Sequence, residues 1–477
     1  MQLTTLVRDI EVVGVRGDLD ATEIESVEFD SRRTRPGALF CCVPGAHTDG
    51  HDHAAAAVDA GAVSLLCDHF LDFGVTQVQV APGSVRPAMA AVASAFHGYP
   101  SRSLAMIGVT GTNGKTTVTQ MVRSILDLAG MPTGVIGTLD GARTTPESPI
   151  LQSLLARFRD DGRRAVAMEV SSHALTEHRV DSIIFDVAAF TNLSRDHLDH
   201  HRSMEHYFEA KACLFEPSRA KVAVVNVDDP YGRRLADRLG SGHVVEVHRT
   251  HATDIELKSG SSRFTWRGRS IELPLSGLFN VENALVAGAV ATALGLGDDQ
   301  VAEGLSSVSP VSGRMELVSG DLPFAVFVDY AHTPAGLDAA LSSARHIAGS
   351  GRVISVFGCG GDRDQGKRPE MGTAARERSD VTIITSDNPR SEDPMAIIDQ
   401  ILRGSTGNAV CRVVPDRAEA IRLAVQTAEA GDVVVIAGKG HESTQTIGGR
   451  IIPFDDRIEA RRALDARGAA DDGGDDR

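Results

Sequence analysis

The chain has 477 residues and a formal net charge of −16, with 42% hydrophobic and 4% aromatic residues. That length exceeds a single hydrophobic core and implies about two to four domains, while the acidic balance argues against nucleic-acid partners held by phosphate neutralisation. The sequence has no run of about 18 apolar residues that could span a membrane, and its start, Met1-Gln-Leu-Thr-Thr, lacks the basic and apolar regions of a secretion signal.

Residues 1–100 read as a first unit. A polar turn at Asp30-Ser31-Arg32 leads into a strand over 38–43, closed by Pro44-Gly45, and a helix over 54–60 ends at Gly61. His47, His51 and His53 lie close together, but without cysteine or a helical i,i+4 pair they favour a polar ligand-binding loop over a metal site. Ser84-Val-Arg-Pro-Ala reads as a linker into the second unit. The six cysteines show neither metal-ligand pairing nor a disulfide framework, so free thiols in the cytoplasm are expected.

The second unit, 101–312, opens on its most informative stretch. A buried strand over 104–109 runs into Gly111-Thr112-Asn113-Gly114-Lys115-Thr116-Thr117 and then a helix over 118–129. Glycines let backbone N–H groups curl toward an anion, the helix N-terminus adds its dipole, and Lys115 can reach terminal phosphates. Thr116 stands where such loops hold Mg²⁺, although Val109 occupies the place of the first glycine in the strict Walker spacing. A short strand over 134–138 follows, and Thr144-Thr145-Pro146 is expected to open a helix. Next comes a strand over 165–170 that carries Glu169 and ends in Ser171. A carboxylate among Ala, Val and Met needs a partner, and a cation such as Mg²⁺ suits one flanked by hydroxyls. The strand over 185–190 ends where Asp196, His197, Asp199, His200 and His201 crowd together. On the residues alone this crowd is either an active-site cluster or a solvated surface. Lys211, within an amphipathic helix over 207–215, reads as a snorkelling lysine. Asn280 and Asn283 near the start of an Ala-rich helix suit base contact or capping equally well.

In the third unit, 313–465, strands over 325–328, 352–357, 381–385 and 432–437 each end in a polar cluster. The clusters contain Asp329, Arg363, Asp387-Asn388-Pro-Arg390, and Gly438 with Glu442. In a parallel sheet these ends share one edge and line one crevice. Residues 466–477 read as a disordered acidic tail. The fold class is α/β in three domains: a small N-terminal α/β domain, a central P-loop ATPase-type α/β domain, and a C-terminal Rossmann-like α/β domain.

Taken in order, Gly111 to Thr117, Glu169-Val-Ser-Ser-His173, Asn192-Leu-Ser-Arg-Asp-His-Leu-Asp199, Gly313-Arg-Met-Glu316 and Asp329-Tyr-Ala-His-Thr-Pro334 resemble the Mur ligase family of peptidoglycan synthesis. Asp387-Asn-Pro-Arg390 and Gly438-Lys-Gly-His-Glu442 are most similar to its diaminopimelate-adding branch. The resemblance implies that ATP phosphorylates the terminal carboxylate of UDP-N-acetylmuramoyl-L-alanyl-D-glutamate, and that the amine of meso-diaminopimelate attacks the acyl phosphate. It implies ATP with two Mg²⁺ sites, one on Thr116 and Glu169, the other on His197 and Lys211 as a carbamate (N6-carboxylysine). Lys115, Glu169, His197 and Lys211 would do the catalytic work. The nucleotide would lie on Gly111 to Thr117, Asn283, Arg314 and Asp329. Ser31 would meet the uridine diphosphate in a UDP-binding N-terminal domain. Thr144, Thr145, Ser171 and Arg179 would follow the muramoyl dipeptide, and Arg363, Asp387, Asn388, Arg390, Gly438 and Glu442 the incoming amino acid.

Arg390 can grip a distal carboxylate, whereas a lone ammonium would be repelled, which favours diaminopimelate over L-lysine. A folylpolyglutamate-synthase-like ligase is the further alternative, but it would lack Asp387-Asn-Pro-Arg390. Two departures from the family stand out: a loop of only five residues between Thr138 and Thr144, and Glu177 where relatives often have Gln. A monomer in the cytoplasm, without nucleic-acid or membrane partners, is expected.

Overall fold

A parallel sheet buried on both faces carries the phosphate loop near its middle. The computed structural model describes residues 1–45, 48–139, 141, 143–240, 242–320, 322–405 and 410–472. Across this central sheet the strands run Val244–Val247, Ala220–Asn226, Phe185–Phe190, Ala105–Thr110, Ala165–Glu169 and Thr133–Ile136, all parallel. Ala105–Thr110 is first in the chain yet lies between the fourth and the third of these strands. The connections therefore leave it in opposite directions, and a crevice opens at its carboxyl end. Helix Lys115–Leu128 starts there, with Val118, Met121, Val122 and Ile125 buried at helical spacing against Ile107 and Val109.

The N-terminal sheet orders Gly14–Arg16, Thr76–Gln79, Ala62–Cys67, Ala38–Cys41 and Ser26–Glu28, with only its first pair antiparallel. The C-terminal sheet orders Glu316–Leu317, Ala325–Asp329, Val433–Ala437, Val353–Phe357, Val381–Ile384 and Val410–Val413. Its Glu316–Leu317 edge is antiparallel and the rest parallel.

Four features differ from the sequence reading. The supposed linker at Ser84 is the start of helix Val85–Phe96, because Pro87 is tolerated in a first turn and an Ala-rich apolar face follows. The helix expected at Thr144 begins instead at Ser148, since Pro146 biases Thr145 away from helical backbone. An antiparallel sheet, Ala252–Leu257, Ser262–Trp266 and Arg269–Leu273, went unforeseen, and it packs Phe264 and Trp266 into the central core. The expected tail is helical as far as Asp472, within helix Asp456–Asp472, and Ala-rich composition favours that state. Residues 473–477 lie outside the described residues. Among the described residues no helix is long and apolar enough to cross a membrane.

Candidate active site

The phosphate loop is braced from the neighbouring strand end. The Asn113 and Thr112 N–H groups donate to Asn192 Oδ1 (3.0 Å) and Asn192 O (2.8 Å), and the Thr191 hydroxyl donates to Asn113 O at 2.6 Å. The close packing leaves no room for a side chain at Gly111 or Gly114. A Cβ on Gly111 would stand 1.9 Å from Thr191 Oγ1, and one on Gly114, at φ +88°, 2.4 Å from Asn283 Oδ1. Lys115 folds over the loop and donates to Gly111 O (2.9 Å) and Thr112 O (2.8 Å). Desolvation lowers its pKa, opposed by the Glu169 charge.

Glu169 is buried and accepts from Thr116 Oγ1 at 2.9 Å, from the Thr138 N–H at 2.8 Å and from Thr138 Oγ1 at 3.2 Å. Arg314 Nη2, from the third unit, donates to the Thr116 hydroxyl at 3.0 Å. Arg314 also lies over the Tyr330 ring, 4.5 Å from its centroid, and its buried Nε has no hydrogen-bond partner among the described residues. Asp329 accepts the N–H groups of Met315 (2.6 Å) and Ala331 (2.8 Å), and burial pushes its pKa up. Asn113, Gly114, Thr117, Asn283, Arg314 and Asp329 line one cavity of about 200 Å³ between the second and third units. Asn226, Asp229, Phe279 and Glu282 line it too and escaped the sequence reading; only the polar Glu282 beside Asn283 gave a local signal. Asn280 does not line it, since its amide donates to Ser276 O at 2.8 Å and so serves the helix start.

Lys211 is 1% exposed and does not snorkel. Its Nζ donates to Gly111 O at 2.8 Å and sits 4.7 Å from the Tyr207 ring centroid. Desolvation, then the nearby Lys115 charge, pushes its pKa far below the usual lysine value. His197 has φ +55°, a left-handed backbone that non-glycine residues adopt at a cost, often at functional sites. Desolvation lowers its pKa against the opposing pull of Asp196. Asp196 is itself buried, within 3.4 Å of His197 Nε2, His332 Nε2 and Lys367 Nζ. Burial alone would raise the Asp196 pKa, but His332, Lys367 and His197 hold it well below the usual carboxylate range.

At the end of the strand that carries Glu169, Thr144 Oγ1 is 3.0 Å from Thr138 Oγ1. Thr145 is fully buried: its hydroxyl donates to Glu169 O (2.8 Å) and accepts from the Ser171 N–H (3.1 Å). It therefore braces the strand end from below. Arg179 donates to Thr145 O at 2.9 Å and pairs with Glu147 at 2.9 Å. Ser31 starts a short turn on the N-terminal sheet and lines neither the cavity beside the phosphate loop nor the cleft described next. His47 lies outside the described residues; His51 is buried between Asp49 (2.6 Å) and Asp68 (3.2 Å) rather than beside His53.

A second cleft, of about 200 Å³, brings Arg363, Asp387, Asn388, Arg390, Gly438 and Glu442 together with Asp196 and His197 of the central unit. Asn388 Nδ2 donates to Glu442 Oε2 at 2.8 Å. Burial would raise the Glu442 pKa, but the Lys439 charge and hydrogen bonds from Lys439 and Asn388 outweigh it and lower it. Burial raises the Asp387 pKa, opposed by Arg417 and Lys439. Arg390 is held at φ +54°, with its N–H on Thr446 O (3.0 Å) and Nη1 on Gly361 O (2.5 Å). Two fully buried cations, both missed by the sequence reading, stiffen the floor. Lys439 Nζ ties Asn388 Oδ1 (3.3 Å), Glu442 Oε2 (3.0 Å) and Thr444 O (2.7 Å) together. Arg417 pairs with Asp456 at 2.7 Å.

Sequence profiles described as Mur ligase family catalytic domain, Mur ligase middle domain and Mur ligase glutamate ligase domain match residues 23–107, 109–291 and 313–440. The chain is 46% identical to the UDP-N-acetylmuramoyl-L-alanyl-D-glutamate–2,6-diaminopimelate ligase of Geobacillus thermodenitrificans, over 93% of this chain and 96% of that protein. A solved structure of a ligase bearing the same description superposes with TM-score 0.67 at 30% identity, covering 98% of this chain and 99% of that one. The folylpolyglutamate synthase of Mycobacterium tuberculosis shares the fold at TM-score 0.59 and 21% identity, over only 73% of this chain.

Proposed function

The chain belongs to the Mur ligase family, and on that premise we propose that it joins meso-2,6-diaminopimelate to UDP-N-acetylmuramoyl-L-alanyl-D-glutamate. It is an ATP-dependent, ADP-forming acid–amino-acid ligase of peptidoglycan precursor synthesis. The observation that carries the amino-acid assignment is the cleft in which Arg363 and Arg390 face Asp387, Asn388 and Glu442. One guanidinium suits each carboxylate of a substrate that has two, and the acidic groups suit its ammonium ends.

In this reading the loop N–H groups and Lys115 bind and orient the ATP phosphates, while Asn283, Arg314 and Asp329 also hold the nucleotide. Thr144, Ser171 and Arg179 present the D-glutamyl carboxylate to the γ-phosphate, and Ser31 lies toward the uridine diphosphate. The acyl phosphate forms as ADP departs, the amine attacks its carbonyl carbon, and phosphate leaves as the amide forms. The cleft next to Asp196 and His197 brings the amine to that carbonyl and keeps water from it.

Two Mg²⁺ ions would neutralise phosphate charge along this path. Their donor sets fit: a hydroxyl and a carboxylate already in contact at Thr116 and Glu169, and His197 near Lys211. Lys211 fits carbamylation because a depressed pKa supplies the neutral amine that reacts with CO₂, and the resulting anion would relieve its repulsion by Lys115. The unit boundaries 1–100, 101–312 and 313–465, and a monomer in the cytoplasm without membrane or nucleic-acid partners, belong to the same proposal.

The test is amino-acid-dependent phosphate release with ATP and the UDP-dipeptide. Release is expected with meso-diaminopimelate and at most weakly with L-lysine; faster release with L-lysine overturns the amino-acid assignment. Release with folate and glutamate instead would overturn the muropeptide reading.

A further inference from the structure

Arg179 is 7% exposed, and its buried Nε has no hydrogen-bond partner among the described residues. Its Nη2, however, is already engaged by Glu177 Oε2 in a very short contact and by Glu147 Oε1 at 2.9 Å. An anionic substrate must compete with Glu177 for Arg179, and an ionised carboxylate beside the binding position would repel it. A neutral side chain at 177 would cause neither problem.

A second guanidinium answers this difficulty, and it comes from the N-terminal unit. Arg86, in the first turn of helix Val85–Phe96, places Nη1 3.3 Å from Glu147 Oε2 and 3.7 Å from Glu177 Oε2. Arg143 closes the cluster at 2.7 Å from Glu147 Oε1. Three guanidiniums thus face two carboxylates, leaving one positive charge for an incoming anion. Glu177 is held below the usual carboxylate range: burial would raise it, but Arg179 and Arg86 outweigh that. It therefore stays charged and needs a cation at neutral pH.

We propose that Arg86 is a positioning residue for the muropeptide: it takes over Glu177 when the D-glutamyl carboxylate claims Arg179. Only a small movement converts its 3.7 Å approach to Glu177 into a direct ion pair. Because Arg86 belongs to the N-terminal unit while Glu147, Glu177 and Arg179 belong to the central one, dipeptide affinity is coupled to the seating of the two units. This inference rests on the muropeptide reading of the Arg179 site.

The test is a charge-swap cycle read as steady-state constants for the UDP-dipeptide. Arg86→Met is expected to raise KM for the dipeptide by about tenfold, the scale of one partly buried charge pair, with kcat and the KM for diaminopimelate within about twofold. Glu177→Gln removes the competitor, so Arg86→Met/Glu177→Gln is expected to return KM to within about twofold of the parent. Arg86→Lys, which keeps the charge, is expected to lie between parent and Arg86→Met. An unchanged KM in Arg86→Met, or a double variant as impaired as Arg86→Met, overturns the inference. Failure of the unmodified protein to turn over the UDP-dipeptide would instead overturn the proposed function.

Discussion

Arg417 is a sensitive point of the C-terminal unit, and its replacement by Met can be worked through from its contacts. The side chain is 2% exposed and donates Nε and Nη2 to the two oxygens of Asp456, each at 2.7 Å. Nη2 also reaches Ala437 O at 2.9 Å and Nη1 reaches Ser386 O at 3.3 Å. Ala437 ends its strand next to Gly438, and Ser386 lies two residues past the end of strand Val381–Ile384, next to Asp387. Arg417→Met leaves Asp456 charged and fully buried, which costs about 3–5 kcal/mol, while the two carbonyls lose about 1 kcal/mol each at most. Some overlap between these terms is expected, so the loss is about 4 kcal/mol, concentrated in the C-terminal sheet. Hydrogen exchange at Val433–Ala437, followed with and without diaminopimelate, is the assay. Protection there is expected to fall by about a thousandfold while the amides of Ala105–Thr110 keep theirs. Arg417→Met/Asp456→Leu removes the orphaned charge and is expected to recover most of the loss. A single variant within about 1 kcal/mol of the parent, or a double variant no better than the single, refutes the reasoning.

Two further outcomes follow from buried titratable groups. Lys211→Met is expected to abolish phosphate release while moving the unfolding midpoint by no more than about 2–4 °C, because Met fills the buried site but cannot form the carbamate; calorimetry beside the activity assay decides it. His201 is buried against Ser172 Oγ at 2.8 Å, and burial lowers its pKa from 6.5 to about 4. The unfolded chain then binds a proton that the folded one refuses, so stability is expected to fall as pH drops from about 6.5 toward 4. Thermal melts across that range should flatten in His201→Gln, and an identical slope would remove His201 from the account.

Much of the functional layout was legible because it obeys a local rule: a β-branched run, then glycine and polar residues. That pattern marked Gly111, Asp329, Asp387 and Gly438 before any sheet order was known. Burial of charge is the property that local pattern hides. Lys211, Lys439 and Arg417 sit on ordinary-looking amphipathic or polar stretches, and only the packing of distant strands makes them interior. Family resemblance corrected the reading of Lys211, but nothing in the motif pointed to Arg417. The antiparallel sheet was missed although Ser262–Trp266 alternates and Arg267-Gly268 is a tight turn. Its strands carry arginine and glutamate outward, and that polarity masked a face that buries Phe264 and Trp266. Arg86 escaped notice because Pro87 beside it reads as a linker signal.

The strand order of the central sheet bears on how the protein comes into being during synthesis. The strand that carries the phosphate loop is paired on one side by Ala165–Glu169 and on the other by Phe185–Phe190, so its hydrogen-bonding edges stay open until about 80 more residues have been made. Contacts of such long sequence separation form slowly. Arg314 and Asp329 arrive later still, some 200 residues after Lys115. A ribosome-bound fragment can therefore fold its N-terminal sheet but cannot assemble a complete nucleotide cavity. Completion of that cavity therefore waits for the third unit, whose Arg314 and Asp329 line it.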